Sequence, residues 1–386
     1  MQPPVVPTPE NTGRWSVSAS DLAALLVKGQ VDFSTDKPFE ELILPGNAAS
    51  VLKNAPVTVS TANVSFTIPA EVMRAVGELV PADQQVESKI KFTAARMNGN
   101  ESSSLIMNAG QESGASLRLG SDLLKFGLSV TTKDGQTYQL SELDKPILMS
   151  LPIASGINPK LSGIYSLDGS GVLKYIGGVL DNGVLKFEIS DLNAAYTVLE
   201  YHKAFTDTDT HWASRVIEEL AAKHLIEGVS RDRFAPNQAV TRAELTAMLV
   251  RMLGLQGDAA AAFKDVPADK WYAQAISAAV KAGIVQGVSD TSFAPDAPIK
   301  RQEAAAMIIR AFKAAGGQLG SEAVTVPFND IADVPVWVQE AVQAAYGAGL
   351  IQGQSQHRFN PEGTATRAES VQILYNIMSK LSEANK

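Results

Sequence analysis

Between Phe205 and Met378 one pattern of residues is written three times, and this repetition constrains the 386-residue chain more than any other feature. The copies read FTDTDTHW…GVSRDRFAPNQAVTRAE, FKDVPADKW…GVSDTSFAPDAPIKRQE and FNDIADVPVW…GQSQHRFNPEGTATRAE. Counting starts at Trp212, Trp271 and Trp337. Each is followed after 16 residues by a glycine (Gly228, Gly287, Gly353), after 24 by a proline (Pro236, Pro295, Pro361) and after 30 by an arginine (Arg242, Arg301, Arg367). A unit repeated at fixed spacing cannot bury its apolar face alone, so the copies must stack on one another.

In each copy the pattern predicts a first helix from near the Trp to the Gly, then a Phe-x-Pro loop, then a second helix. The second helices are the better specified. Leu245, Met248, Leu249, Met252 and Leu253 fall on one apolar stripe. Met307, Ile308, Ala311 and Phe312 repeat it, as do Ile373, Leu374, Ile377 and Met378. Thr241-Arg242-Ala243-Glu244 and Thr366-Arg367-Ala368-Glu369 read as capping boxes, with Thr at the N-cap and Glu reaching back. Lys300-Arg301-Gln302-Glu303 lacks the capping hydroxyl, and its helix start is expected to be weaker by about 0.5–2 kcal/mol.

The repeated polar residues are candidates for binding. Arg242, Arg301 and Arg367 stand at the positive end of a helix dipole, where a cation is disfavoured. A salt bridge to the next copy or simple solvation would account for them. The favoured reading is an anion held by the arginine and the helix-start amides together. On it, losing the arginine should leave stability nearly unchanged and reduce binding. Trp212, Trp271 and Trp337 are either core anchors of the first helix or platforms for a sugar's apolar face. Asp207, Asp265 and Asp330 cap the first helix or accept from sugar hydroxyls. Gly228, Gly287 and Gly353 read as left-handed helix C-caps. Ser230, Ser289 and Ser355 offer a loop hydroxyl to a ligand or make an ordinary turn bond.

The rest of the chain narrows the function classes. A formal net charge of −8, from 33 basic and 41 acidic residues, argues against nucleic-acid binding. No Cys is present, which removes disulfides, thiolate metal sites and thiol nucleophiles together. No apolar run approaches the roughly 20 residues of a membrane span. The opening MQPPVVPTPENTGRW lacks the regions of a signal peptide and is expected to belong to a longer exported protein.

From about Trp15 to Tyr201 the pattern is mainly β, with period-two alternation at 57–59, 64–68, 90–92 and 187–189. Asp134-Gly135, Asp168-Gly169 and Asn182-Gly183 mark hairpins. Short helices are expected at Pro69–Leu79 and at Ser20–Val27, the latter with Ser20 as N-cap. Together these predict an antiparallel sandwich. No His precedes His202, and Glu40, Glu41, Glu71 and Asp144 are scattered without pairing, so the region carries no recognisable catalytic set. Asp168-Gly169-Ser170-Gly171 reads as a turn rather than a phosphate cradle.

The FxD…W…G…F-x-P…TRAE pattern resembles S-layer homology domains in their usual set of three, over about Phe205 to Leu381. The resemblance implies an all-α, pseudo-threefold bundle of helix-loop-helix units with grooves between neighbours. It implies binding of a secondary cell-wall polysaccharide attached to peptidoglycan, commonly with pyruvylated N-acetylmannosamine. The groove residues it carries over are Arg242, Arg301 and Arg367 together with the Asp, Trp, Gly and Ser positions above. Lys300 and Gln302 depart from the family pattern, and Ala314–Pro327 is an extra stretch before the third copy. The whole therefore reads as a multidomain chain: a linker at 1–14, a sandwich-like β domain at 15–201 of no assignable role, and repeats at 202–256, 257–320 and 321–386. Its expected task is non-enzymatic anchoring at the cell wall or surface layer, with no cofactor, catalytic residue or metal site. The alternatives are a self-assembling S-layer lattice subunit, or the anchoring end of a larger secreted glycan-active enzyme.

Overall fold

The computed structural model describes residues 13–26, 29–258, 263–320, 324–332, 334–355 and 357–384. The chain divides into two compact units, Met1–Lys203 and Ala204–Lys386. The linker expected at 1–14 lies almost wholly outside the described residues, as do Val27 and part of the extra stretch before the third copy.

In the first unit two sheets face one core. The larger runs β1 (Arg14–Ser16), β3 (Glu41–Pro45), β6 (Lys89–Arg96), β8 (Leu124–Thr131), β15 (Ala195–His202), β11 (Ser162–Leu167) and β12 (Leu173–Gly177), with β7 (Ser116–Leu119) on β15 and β9 (Thr137–Leu140) on β8. The smaller runs β13 (Val179–Asp181), β14 (Val184–Asp191), β10 (Glu142–Pro152), β5 (Ser65–Ile68), β4 (Val57–Ser60) and β2 (Val31–Ser34). Alternating burial, of Val57 and Val59 in β4, of Phe66 and Ile68 in β5 and of Ile90, Phe92 and Ala94 in β6, puts one face of each sheet inward. Aromatic pairs join them: Phe66 and Phe92 have ring centroids 4.5 Å apart, Trp15 and Phe33 5.8 Å, Phe187 and Tyr196 5.9 Å.

The expected hairpins join β8 to β9, β11 to β12 and β13 to β14. At the last, Asn182 (φ 48°) and Gly183 (φ 82°) both take the left-handed conformation that a two-residue turn requires. The sheets are not purely antiparallel, however. β1 pairs with β3, and β2 with β4, in parallel. Parallel neighbours need a crossover rather than a hairpin. Here the intervening chain includes α1 (Ala19–Leu25) and α2 (Ala48–Val51), respectively. α1 is capped by Ser18, not Ser20: the Ser18 hydroxyl accepts from the Asp21 amide at 3.2 Å.

Three more helices follow, α3 (Ala70–Gly77) after Pro69, α4 (Ala82–Gln85) and α5 (Gly99–Ser113). α5 was not anticipated from the sequence. Its residues, GNESSSLIMNAGQES, bury only Ser102, Ile106 and Ala109, too few for a readable stripe. Its ends hold it: the Asn98 side chain accepts from the Glu101 amide at 2.8 Å, and Gly114 closes it at φ 62°.

The second unit is helical. Among the described residues its helices fall two to a copy: α6 (Ser214–Ala222) and α7 (Arg242–Leu253), α8 (Ala273–Lys281) and α9 (Arg301–Ala314), α10 (Val336–Gly347) and α11 (Arg367–Ala384). The copies touch in a cycle, α7 against α8, α9 against α10, and α11 back against α6. Between copies the backbone also bridges, at Ala239 with Thr366, Thr241 with Pro298 and Lys300 with Thr364. These short extended segments meet in a closed triangle of amides: Val240 donates to the Ala365 carbonyl (2.9 Å), Ala365 to Ile299 (3.1 Å) and Ile299 to Val240 (3.0 Å).

Each unit has its own core. Phe92→Ala should therefore lower the unfolding free energy of residues 13–203 by about 3–5 kcal/mol in urea titration. The same substitution should leave the stability of residues 204–386 unchanged.

Candidate functional site

The site is built outward from the Phe-x-Pro loop. Its middle residue is left-handed in every copy, Ala235 at φ 58°, Ala294 at 57° and Asn360 at 59°. That conformation disfavours residues other than glycine by about 1–2 kcal/mol. An aspartate from the start of the same copy holds it. Asp207 accepts from the Phe234 and Ala235 amides, both at 2.8 Å. Asp265 does so from Phe293 and Ala294, and Asp330 from Phe359 and Asn360. The aspartates are thus loop clamps, not caps of the first helix. Burial pushes their carboxyls up, but the hydrogen bonds outweigh it and hold them below the ordinary range.

The clamped loop then receives the helix start of the preceding copy. The Arg242 amide donates to the Ala297 carbonyl (3.0 Å) and Ala243 to Pro295 (2.9 Å). Arg301 and Gln302 do the same to Gly363 and Pro361, and Arg367 and Ala368 to Gln238 and Pro236. Thr241 and Thr366 take the next amide, of Glu244 and Glu369, completing true capping boxes. The helix-start amides expected to receive an anion are already bonded within the protein.

The arginine side chains follow the same route. Arg242 Nε donates to Phe293 O at 2.9 Å and Nη2 to Gln286 O at 3.0 Å. Arg301 reaches Phe359 O and Gln352 O, and Arg367 reaches Phe234 O and Glu227 O. Each guanidinium also lies over the ring of the Phe that it bonds, 4.6–4.8 Å from the centroid. Nη1 meets the capping glutamate of the next copy: Arg301 with Glu369 and Arg367 with Glu244 at 2.7 Å, Arg242 with Glu303 at 3.7 Å. All three arginines are under a tenth exposed. Burial pushes them below their ordinary pKa while the facing carboxylates oppose the shift. The dipole argument that made Arg a poor helix starter fails because its charge leaves that helix and serves the neighbouring copy.

Copy two makes up for its missing Thr. Glu303 still accepts from the Lys300 amide at 3.2 Å. Lys300 Nζ (2.6 Å) and Gln302 Nε2 (2.7 Å) grip the two oxygens of Glu362 in the third copy.

The glycines are not helix C-caps. The first helices end six residues earlier, and the left-handed residues there are His224, Gly283 and Gly349. Gly228, Gly287 and Gly353 are needed for close approach. A Cβ on Gly228 would lie 2.5 Å from Ser230 O and 2.6 Å from the Phe205 ring, and the other two are alike. The serines are exposed turn residues, with Ser230 Oγ donating to Asp232 and Ser289 Oγ accepting from Thr291. The Ser355 amide donates to the Arg358 carbonyl.

The tryptophans are not core. Trp212 is 62% exposed, Trp271 60% and Trp337 49%. Trp212 rims a cleft of about 560 Å³ between the second and third copies. Arg301, the Gln352-Gly353-Gln354 loop, Gln372 and Asn376 line it over a floor of Ala304, Ala305 and Ile308. All three copies thus contribute to one cleft, which the spacing within each copy does not reveal.

Residues 204–246, 262–305 and 327–369 each match the S-layer homology domain. The chain is 34% identical to the amylopullulanase of Thermoanaerobacterium thermosulfurigenes over 242 residues, 62% of this chain and 13% of that protein. It is 36% identical to exoglucanase XynX of Acetivibrio thermocellus over 184 residues (47% and 17%). With the surface-layer 125 kDa protein of Lysinibacillus sphaericus it shares 32% over 161 residues (41% and 13%). The chain therefore spans less than a fifth of these relatives. The 242-residue match is longer than the second unit, so it reaches into the β unit as well.

Two outcomes are expected. Arg242→Ala removes a buried guanidinium and leaves two loop carbonyls unpaired, so it should destabilise the second unit by about 1–3 kcal/mol for each carbonyl in urea unfolding. Acidification tests the clamps. A carboxylate whose folded pKa is depressed contributes stability above its unfolded value of about 3.9 and loses it as pH falls through the lower folded value. The second unit should lose stability below about pH 4, and Asp265→Asn should be weaker at pH 7 with a shallower loss on acidification.

Proposed function

We propose that this chain, which carries three S-layer homology domains, fastens a protein to the cell wall by binding an anionic secondary polysaccharide in its inter-repeat clefts. Domains of this family anchor proteins to the wall through polysaccharide, and the chain belongs at the cell surface, in the wall or surface layer. Among the described residues no helix is long and apolar enough to cross a membrane. The observation that carries the reading is the cleft at Trp212, where an exposed indole and a guanidinium from repeated positions meet several amides of the third copy. The indole offers a flat apolar surface to a sugar ring. Gln354, Gln372 and Asn376 offer amide groups to hydroxyl or acetamido substituents. Arg301 donates three of its five N–H groups within the protein, and the remaining two suit a carboxylate such as that of pyruvylated N-acetylmannosamine.

On this reading the helical unit is one pseudo-threefold body whose copies work only together, and the chain itself is non-enzymatic. The relatives favour a specific context. Two are named as glycan-degrading enzymes and a third as a surface-layer protein, and the match covers 13–17% of each of these proteins. The chain accordingly serves as the anchoring end of a larger secreted protein or as part of a surface layer.

Cosedimentation with purified cell walls tests the reading. Residues 204–386 should bind as completely as the whole chain, and binding should fall with added salt. Stripping the secondary polymer from the walls with acid should abolish it, and Trp212→Ala should weaken it on the order of tenfold. Binding by residues 1–203 instead, or equal binding to stripped walls, would contradict it.

A further inference from the structure

The three inter-repeat grooves are built alike but walled differently. Beside each buried arginine, the residues three and four positions further on stand on the same side of the groove. Between the second and third copies these are Ala304 and Ala305, which line the cleft. Their counterparts are Leu245 and Thr246 between the first and second copies, and Ser370 and Val371 between the third and first. Leu245 with Thr246 and Ser370 with Val371 are larger than Ala304 with Ala305, and all six are buried.

Charge separates the grooves as well. The loop residue whose carbonyl takes Arg Nη2 is Gln352 in the open cleft and Gln286 in the next groove, but Glu227 in the third. In the third groove Glu227 pairs with Arg251 at 3.0 Å, so an ion pair takes the positions that Gln352 and Asn376 hold in the open cleft. On the far wall of the open cleft stand two neutral amides, Gln372 and Asn376, where the other copies carry Ala247 with Arg251 and Ala306 with Arg310. Gln372 Nε2 donates to Asn376 Oδ1 (2.9 Å), and Asn376 Nδ2 donates to the Leu350 carbonyl (3.0 Å). Among the described residues Gln372 Oε1 has no protein partner, so this fixed amide pair presents an acceptor to a hydroxyl or acetamido N–H.

We propose that the groove between the second and third copies is the principal glycan site of this chain, and that Ala304 and Ala305 determine that choice. The proposal rests on the wall-polysaccharide reading and adds which groove is used and why. It makes Trp212, from the first copy, the indole that meets the sugar, while Trp271 and Trp337 border grooves of lesser affinity.

Tryptophan fluorescence of the full chain, titrated with glycan released from purified walls by muramidase digestion, tests this directly. The exposed indoles can be replaced one at a time with little risk to folding. The glycan-induced change should vanish in Trp212→Phe and persist in Trp271→Phe and Trp337→Phe. In cosedimentation, Ala304→Leu with Ala305→Thr, the residues of the first copy, should lower affinity about tenfold or more, and Ala304→Ser with Ala305→Val, those of the third, should also lower it. Persistence of the change in Trp212→Phe, with its loss in either other variant, overturns the proposal. So does undiminished affinity in both alanine variants. If the unaltered chain binds neither walls nor released glycan, the wall-polysaccharide reading itself fails.

Discussion

The second unit depends on one contact made three times: a helix start and its arginine docked into the clamped loop of the next copy. Asp265 clamps the loop of copy two, whose carbonyls take the amides and the guanidinium of Arg242. Asp330 and Arg301 repeat it one copy on, and Asp207 and Arg367 close the cycle. In the last contact Arg367 reaches Phe234, 133 residues back along the chain. A ring of three such contacts has no free end. Omitting one copy would expose a clamped loop at one edge and strand a buried guanidinium at the other, which is costly in a dry interface. This gives a physical reason why the chain carries three copies.

The same contact shapes the site. Drawing Arg301 into the neighbouring loop sets the Gly353 turn beside the second helix of the second copy, and the cleft remains between them. The arginine is thus both a rivet and a wall of the groove.

Much of this was legible in the sequence, for reasons that can be named. The Trp-Gly-Pro-Arg spacing marked the copies because each performs the same local task. The capping boxes at Thr241 and Thr366 were readable because capping involves only neighbours in the chain. What could not be read were contacts between copies. The fate of Arg242, the use of Asp207 as a loop clamp and the arrival of Trp212 at the groove between the other two copies all depend on cyclic closure. Gly228 was misread because a C-cap and a close approach both select glycine, and only the Phe205 ring distinguishes them. In the β unit, hairpin turns were readable and parallel pairing was not, since β1 and β3 are separated by an excursion to the other sheet.

The claim that the ring is closed by an arginine–glutamate contact between its first and last copies can be measured at that seam. A double-mutant cycle on Arg367→Ala and Glu244→Ala, followed by urea unfolding of the full chain, isolates the pairwise term. The 2.7 Å contact predicts a coupling energy of about 1–3 kcal/mol, with each single variant destabilised. Strict additivity of the two substitutions would contradict the account.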